Sequence, residues 1–274
     1  MRLIHLSDLH FGHHDADLAD SLLADIQRNA PDLIVVSGDF TQVGSRAEFE
    51  VAQAFLEALP APVFAVPGNH DVPARNLALR FADPYRHYRR HIAPDLEPFL
   101  DTQGIAIAGL KTSRRFRLGL NWAHGSISTH QLETLETRFA GSAPESLRIV
   151  VAHHPLLQPD VAMTRPMRLV RRADEALACF ARLGVRLVLS GHFHMSYMRE
   201  HHVATGETEG PLQAAAAPIM VLQAASAIST RLRDHANAYN LVDIEDGAIA
   251  VTVREWQGEG WTSRTHTAGM LPGR

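Results

Sequence analysis

Cysteine is almost absent from this chain: Cys179 is the only one in 274 residues. That excludes an intramolecular disulfide and fits a reducing compartment. It lies in "DEALACFARLG", a helical apolar pattern, and reads as a buried core thiol rather than a nucleophile. Lysine is equally scarce. Lys111 stands alone, and we attribute the arginine bias to genome composition. No apolar run reaches the ~18 residues of a membrane span. The opening "MRLIHLSDLH" has neither the basic n-region nor the long apolar segment of a secretory signal. A soluble, cytoplasmic protein is therefore expected. An excess of positive charge is also missing, because the formal net charge is −4. That gives no electrostatic reason to expect a long nucleic acid as partner. A small anionic substrate stays compatible with it, since a metal can dominate the local field.

What the chain does have is apolar content, 46% against 20% charged residues, enough for a substantial core. Short apolar runs alternate with helical patterns. "RLIHLSD", "DLIVVSGD" and "PVFAVPGNHD" read as strands, separated by helices over 15–29 and 45–59. Ser45 and Glu48 form a capping-box signature, as do Ser128 and Gln131 before a helix reaching about Phe139. This βαβαβ opening implies a largely parallel sheet with right-handed crossovers. Residues 74–100 read as mostly helical, interrupted by Pro84, Pro94 and Pro98. "GIAIAGL", "LGLNW", "LRIVVAHHP" and "VRLVLSGH" are further strands, the last two joined by a helix at about 168–183. Then come "SYMREHHVA", "PIMVLQAAS", "AYNLVDIE" and "AIAVTVREW", with a loop at 205–216. There is no internal repeat and no clear linker. The expectation is one domain over 1–257 and a loose tail over 258–274.

The polar residues fall where the strands end. "SDLH" supplies Asp8 and His10, and "SGD" supplies Asp39. "PGNHD" supplies Asn69, His70 and Asp71, "AHHP" His153 and His154, and "SGHFH" His192 and His194. Any one motif is weak: 17 histidines in 274 residues give about one His-x-His by chance. Asp8 and Asp39 could each be turn residues, and Asn69 could adopt a left-handed turn. Five strands delivering oxygen and nitrogen ligands to one edge are a different matter, because sites in α/β sheets gather beyond the carboxyl ends of strands. Carboxylate, amide and imidazole without thiolate suit Mn, Fe or Zn. The number of ligands exceeds one tetrahedral site and suits two adjacent ions, an arrangement that clamps both oxygens of a phosphoryl displacement.

The ordered set D-x-H, G-D, G-N-H-D, H-x-P and G-H-x-H resembles the calcineurin-like metallophosphoesterases. "LSDLHFG", "VVSGD", "VPGNHD" and "LSGHFH" look like the bacterial branch that contains class III cyclic-nucleotide phosphodiesterases. The motifs span residues 8 to 194. The resemblance implies a four-layer αββα sandwich of two mixed sheets, the metal site at the C-terminal edge of the strands and the late strands in the second sheet. It implies that Asp8, His10 and His194 hold one metal, that Asn69, His153 and His192 hold the other, and that Asp39 bridges them. His70 becomes the general acid, with Asp71 either orienting it or capping the next helix. His154 becomes a neighbouring or substrate-facing residue, and Asn69 also contacts substrate. The implied reaction is hydrolysis of a small phosphodiester, a cyclic nucleotide among the candidates, by metal-activated hydroxide. A phosphomonoesterase or nucleotide-sugar pyrophosphatase would share the same core, and a nuclease or a non-catalytic interaction module fits less well. A homo-oligomer is left open. One departure stands out: many relatives carry Asp or Asn where "GDFTQ" has Gln42, which bears on substrate rather than chemistry. Arg114, Arg115 and Arg117 read as a solvated basic turn, His13 and His14 as loop histidines at the site's edge, and His201 and His202 carry no assigned role.

Overall fold

The structure is a computed structural model describing residues 1–102, 104–114, 124–160, 167–202, 217–230 and 235–265. The first half runs β1 (Arg2–Leu6), α1 (Ala16–Asn29), β2 (Leu33–Val36), α2 (Arg46–Glu57) and β3 (Val63–Ala65). Two short helices follow, α3 (Leu77–Ala82) and α4 (Arg86–His91), then β4 (Phe99–Thr102), β5 (Ile105–Leu110) and α5 (Thr129–Ala140). Next come β6 (Leu147–Ala152), α6 (Ala173–Arg182), β7 (Val185–Ser190), β8 (Tyr197–His201) and β9 (Ile219–Gln223). The chain continues through β10 (Ala238–Glu245), β11 (Ala248–Trp256) and β12 (Trp261–Thr265).

Helix starts follow local chemistry. The Asp15 carboxylate accepts from Leu18 N at the head of α1, and both expected capping boxes are present at Ser45 and Ser128. Strands form two sheets, ordered β12-β11-β10-β1-β2-β3 and β4-β5-β6-β7-β9-β8. β1, β2 and β3 are parallel, as are β5, β6, β7 and β9, and the remaining pairs are antiparallel. Alternation along each strand sets the layers. In β1, Leu3 joins the core between the sheets, with Val35, Phe64, Ile107, Val151 and Leu189. Ile4 faces the other way, into a core with Leu22 of α1 and Phe49 of α2. Val150 and Val188 likewise back onto Leu135 of α5 and Phe180 of α6. The central strands are apolar on both faces because both faces are covered. The result is the expected αββα arrangement of two mixed sheets.

Three expectations need correction. The late strands do not make up one second sheet: β8 and β9 extend the sheet of β7, whereas β10, β11 and β12 extend that of β1. The ligand-bearing strand ends are split in the same way, β1 to β3 in one sheet and β6 and β7 in the other. The tail expected from 258 contains β12, which pairs with β11 over Thr252–Trp256 and buries Trp261 against Tyr239 at 5.3 Å. Apolar burial offsets the ordering cost of this edge strand. Within 74–100, helix gives way at Phe99 to an edge strand that pairs with β5. The expected strand "LGLNW", the loop at 205–216, and Arg115 and Arg117 lie outside the described residues. Among the described residues, no helix is long and apolar enough to cross a membrane.

Candidate metal centre

Each ligand-bearing strand stops one to four residues before its polar side chains, and the backbone then turns sharply. Eight described non-glycine residues have positive φ, and five of them are Asp8, His10, Asp39, His192 and His194. Left-handed backbone costs a side-chain-bearing residue about 1 kcal/mol or more and persists where surrounding structure enforces it. Two glycines make the convergence possible. A Cβ at Gly68 would sit 2.1 Å from Asp39 Oδ1, and one at Gly191 would sit 1.8 Å from Ser7 Oγ and 2.6 Å from Asp8 Oδ2. The loops therefore close on the carboxylates only with glycine at these points.

On one side, Asp8 Oδ1 lies 3.2 Å from His194 Nε2 and 3.6 Å from His10 Nε2, and the two imidazole nitrogens are 3.2 Å apart. On the other, His153 Nε2 lies 3.1 Å from Asn69 Oδ1 and 3.3 Å from Asp39 Oδ2. Asp39 Oδ2 is also 3.9 Å from His10 Nε2, so one carboxylate oxygen faces both groups. His192 packs edge-on to His153, with ring centroids 5.2 Å apart, and His154 lies 4.7 Å from His192. All seven expected ligand positions converge. His154 adds an eighth polar group, held by a 2.7 Å contact between its Nδ1 and Thr112 Oγ1.

The hydrogen bonds aim these groups. His153 Nδ1 donates to Ser37 O at 2.8 Å, which leaves Nε2 as the free nitrogen facing Asp39. Asp8 Oδ2 accepts from Ser7 Oγ and from His192 N, while Asp8 Oδ1 is buried without a hydrogen bond. A buried carboxylate oxygen with no donor is costly, and imidazole nitrogens converging on it make a cation the natural partner. Electrostatics agree. Burial opposes ionisation of Asp8 and Asp39, but the surrounding histidines hold both carboxyls well below the usual range. Burial pushes His10 down, and with His153 it pushes His192 down to about 3. Ionised carboxylate and neutral imidazole are the forms that ligate metal. His153 differs: burial lowers it, but Asp39 outweighs that and raises it to about 9. A proton there sits beside Asp39 where a cation would otherwise be.

His70 and Asp71 separate. The His70 ring stands edge-on to His10 at 4.8 Å, its backbone N donates to Asp39 Oδ1, and its Nδ1 is 2.6 Å from Gln42 O. The partner of the His70 ring is thus the Gln42 carbonyl, which the sequence could not show because a backbone oxygen leaves no residue-type signal. Asp71 neither orients His70 nor caps the next helix, whose cap is Asn76. Its carboxylate accepts from Thr41 N, Thr41 Oγ1 and Gly68 N, clasping the two ligand loops together. The physical reason is direction: its two oxygens are turned toward Thr41 and Gly68. His13 is exposed, His14 meets the Phe11 ring edge-on at 4.7 Å, and Arg114 is exposed.

Likeness to known proteins agrees with this geometry. The chain is 28% identical over 188 residues to a probable cyclic nucleotide phosphodiesterase of Synechococcus sp., covering 68% of this chain and 67% of that one. It is 29% identical over 221 residues to a glycerophosphodiester phosphodiesterase of Enterobacter lignolyticus, covering 75% of each. The fold also matches a purple acid phosphatase from yellow lupin, with TM-score 0.65 at 12% identity, over 96% of this chain and 52% of that one. The sequence model of the calcineurin-like phosphoesterases matches residues 1–196, the stretch that contains every strand end described above, and the chain belongs to that family.

Proposed function

We propose that this phosphoric ester hydrolase is a binuclear phosphodiesterase acting on a small diester. The observation that carries the reading is the position of Asp39, whose Oδ2 faces His153 Nε2 at 3.3 Å and His10 Nε2 at 3.9 Å. One carboxylate between two ligand groups suits a bridge between two ions. Asp8, His10 and His194 would hold one ion, Asn69, His153 and His192 the other, with Mn, Fe and Zn all compatible with the donor set. When bound, such a pair supplies an activated water and neutralises charge on the phosphoryl oxygens.

The chain's own residues do the rest. His70 is fixed through Nδ1 by the Gln42 carbonyl, so Nε2 is the nitrogen that gains and yields a proton. It delivers that proton to the departing alkoxide, the step that limits esters with basic leaving groups. Asn69, within the second ligand group, and His154, beside it, can orient a bound diester. The preference for diesters draws on the relatives, one a cyclic nucleotide and one a glycerophosphodiester phosphodiesterase.

The test is a screen of purified protein against cyclic nucleotides, glycerophosphodiesters and nitrophenyl esters, with elemental analysis of the same samples. Two metal equivalents and faster turnover of bis-p-nitrophenyl phosphate than of p-nitrophenyl phosphate are expected. The reverse order of rates would make the protein a monoesterase, and a single full equivalent would remove the bridge.

A further inference from the structure

A cleft of about 540 Å³ has walls that include His13, Gln42, Arg46, Glu48, Arg75 and His87. Its size is that of a small-molecule site. Gln42 joins it to the candidate metal centre, because the carbonyl of this same residue holds His70 Nδ1. His13 provides a second link, donating its backbone N–H to His10 O at 2.8 Å. The cleft therefore adjoins the residue assigned to the leaving oxygen.

The charge of this cleft differs from that of the chain as a whole. Its one carboxylate, on Glu48, is committed to the backbone N–H groups of Val43 and Ser45. Arg46 is shared with Glu50 at 2.7 Å. Arg75 is exposed and has no hydrogen bond or ion pair among the described residues. An uncommitted guanidinium at the wall of a cleft is suited to a carboxylate or phosphate. Gln42 contributes an uncharged side chain to this wall, its Oε1 buried without a hydrogen bond, so position 42 adds no negative charge to the cleft.

We propose that this cleft is a leaving-group subsite that takes an alcohol bearing a second anionic group, with Arg75 as its principal recognition residue. The proposal rests on the phosphodiesterase reading above and narrows it. A simple cyclic nucleotide has only the reacting phosphate as its charge, which leaves Arg75 without an anionic partner. The favoured substrates are diesters charged at a second point.

The test uses the full, metal-loaded chain and two esters that differ at one position, methyl 4-nitrophenyl phosphate and methyl 3-carboxy-4-nitrophenyl phosphate. KM should be about fivefold lower for the carboxylated ester, the upper range for an exposed ion pair. Arg75→Glu should erase or invert that ratio, and 0.5 M salt should shrink it. A phosphonate in place of the carboxylate separates the two anions, the larger gain naming the group that the cleft prefers. Calorimetry with 5-hydroxy-2-nitrobenzoate, the free leaving group, supplies a readout apart from turnover. Binding weakened by Arg75→Glu supports the subsite even if no diester is hydrolysed, an outcome that would overturn the phosphodiesterase reading alone. A KM ratio and a binding isotherm that are both unchanged in Arg75→Glu overturn the subsite.

Discussion

Asp25 and Asp39 are carboxylates with side chains equally withdrawn from water, 2% and 1% exposed, yet they are built into opposite situations. Asp25, on α1, accepts from Arg254 Nη2 at 2.7 Å, Tyr239 Oη at 2.5 Å and Arg28 Nη2 at 2.8 Å. Its partners include guanidinium groups that stay charged at any physiological pH. Asp39 and Asp8 have no arginine or lysine partner among the described residues, only imidazoles, a hydroxyl and backbone N–H groups. Burial opposes ionisation of both carboxylates, and the partner decides their roles. A structural carboxylate brings its cation within the chain, whereas a site carboxylate is left to take one from solution.

The largest effect should come from removing Asp39, the carboxylate proposed as the bridge. Asp39→Ala should lose metal from both sites and reduce turnover on the order of 10⁴-fold, equivalent to about 5.5 kcal/mol. His10→Ala should chiefly weaken one site. Two full equivalents of metal in Asp39→Ala, by elemental analysis, would break the contrast with Asp25.

His70→Ala comes next. Retaining both metals, it should lose ~10²–10⁴ in rate on an alkyl diester and distinctly less on a nitrophenyl diester, whose leaving group needs little protonation. Equal losses on the two substrates would make His70 an orienting residue. Loss of metal would make it a ligand, which its place beside His10 and Asp39 also permits.

Asp25→Asn sharpens the comparison from the structural side. It leaves Arg254 short of its counter-charge and should cost about 2–3 kcal/mol of stability, with metal content and kcat unchanged. Burial opposes ionisation of Asp25, but the bonds from Arg254, Tyr239 and Arg28 lower its pKa in the folded state. Its contribution is therefore present above the ordinary carboxylate range and is lost as pH falls through the lowered value. In thermal melts, wild type and Asp25→Asn should converge toward acid pH. Added metal should raise the melting temperature of both, because binding to the folded state is preserved. Divergence on acidification would contradict the assignment.

The smallest effect sets a baseline for purely local structure. Ser128→Ala removes the cap of α5, behind the second sheet, and should cost about 1 kcal/mol in denaturant unfolding without changing metal content. A loss of metal here would mean that the two regions are coupled through the sheet.

The sequence by itself determined the features that depend on near neighbours and residue chemistry. Ser45 and Ser128 cap helices because donor and acceptor lie three residues apart, and apolar runs form strands because both faces are to be covered. The candidate ligands at the strand ends were legible for the same reason: Asp8, Asp39, Asn69, His153, His192 and His194 stand out by type and order. Tertiary structure alone decided which sheet each late strand entered, since runs apolar on both faces do not encode which edge they extend. It also decided that β12 folds back onto β11, where Trp261 meets a core assembled from distant segments. The partner of His70 and the hydrogen bonds of Asp71 were decided in the same way. One depends on a carbonyl, which every residue carries, and the other on backbone N–H groups whose direction exists only once two loops face each other.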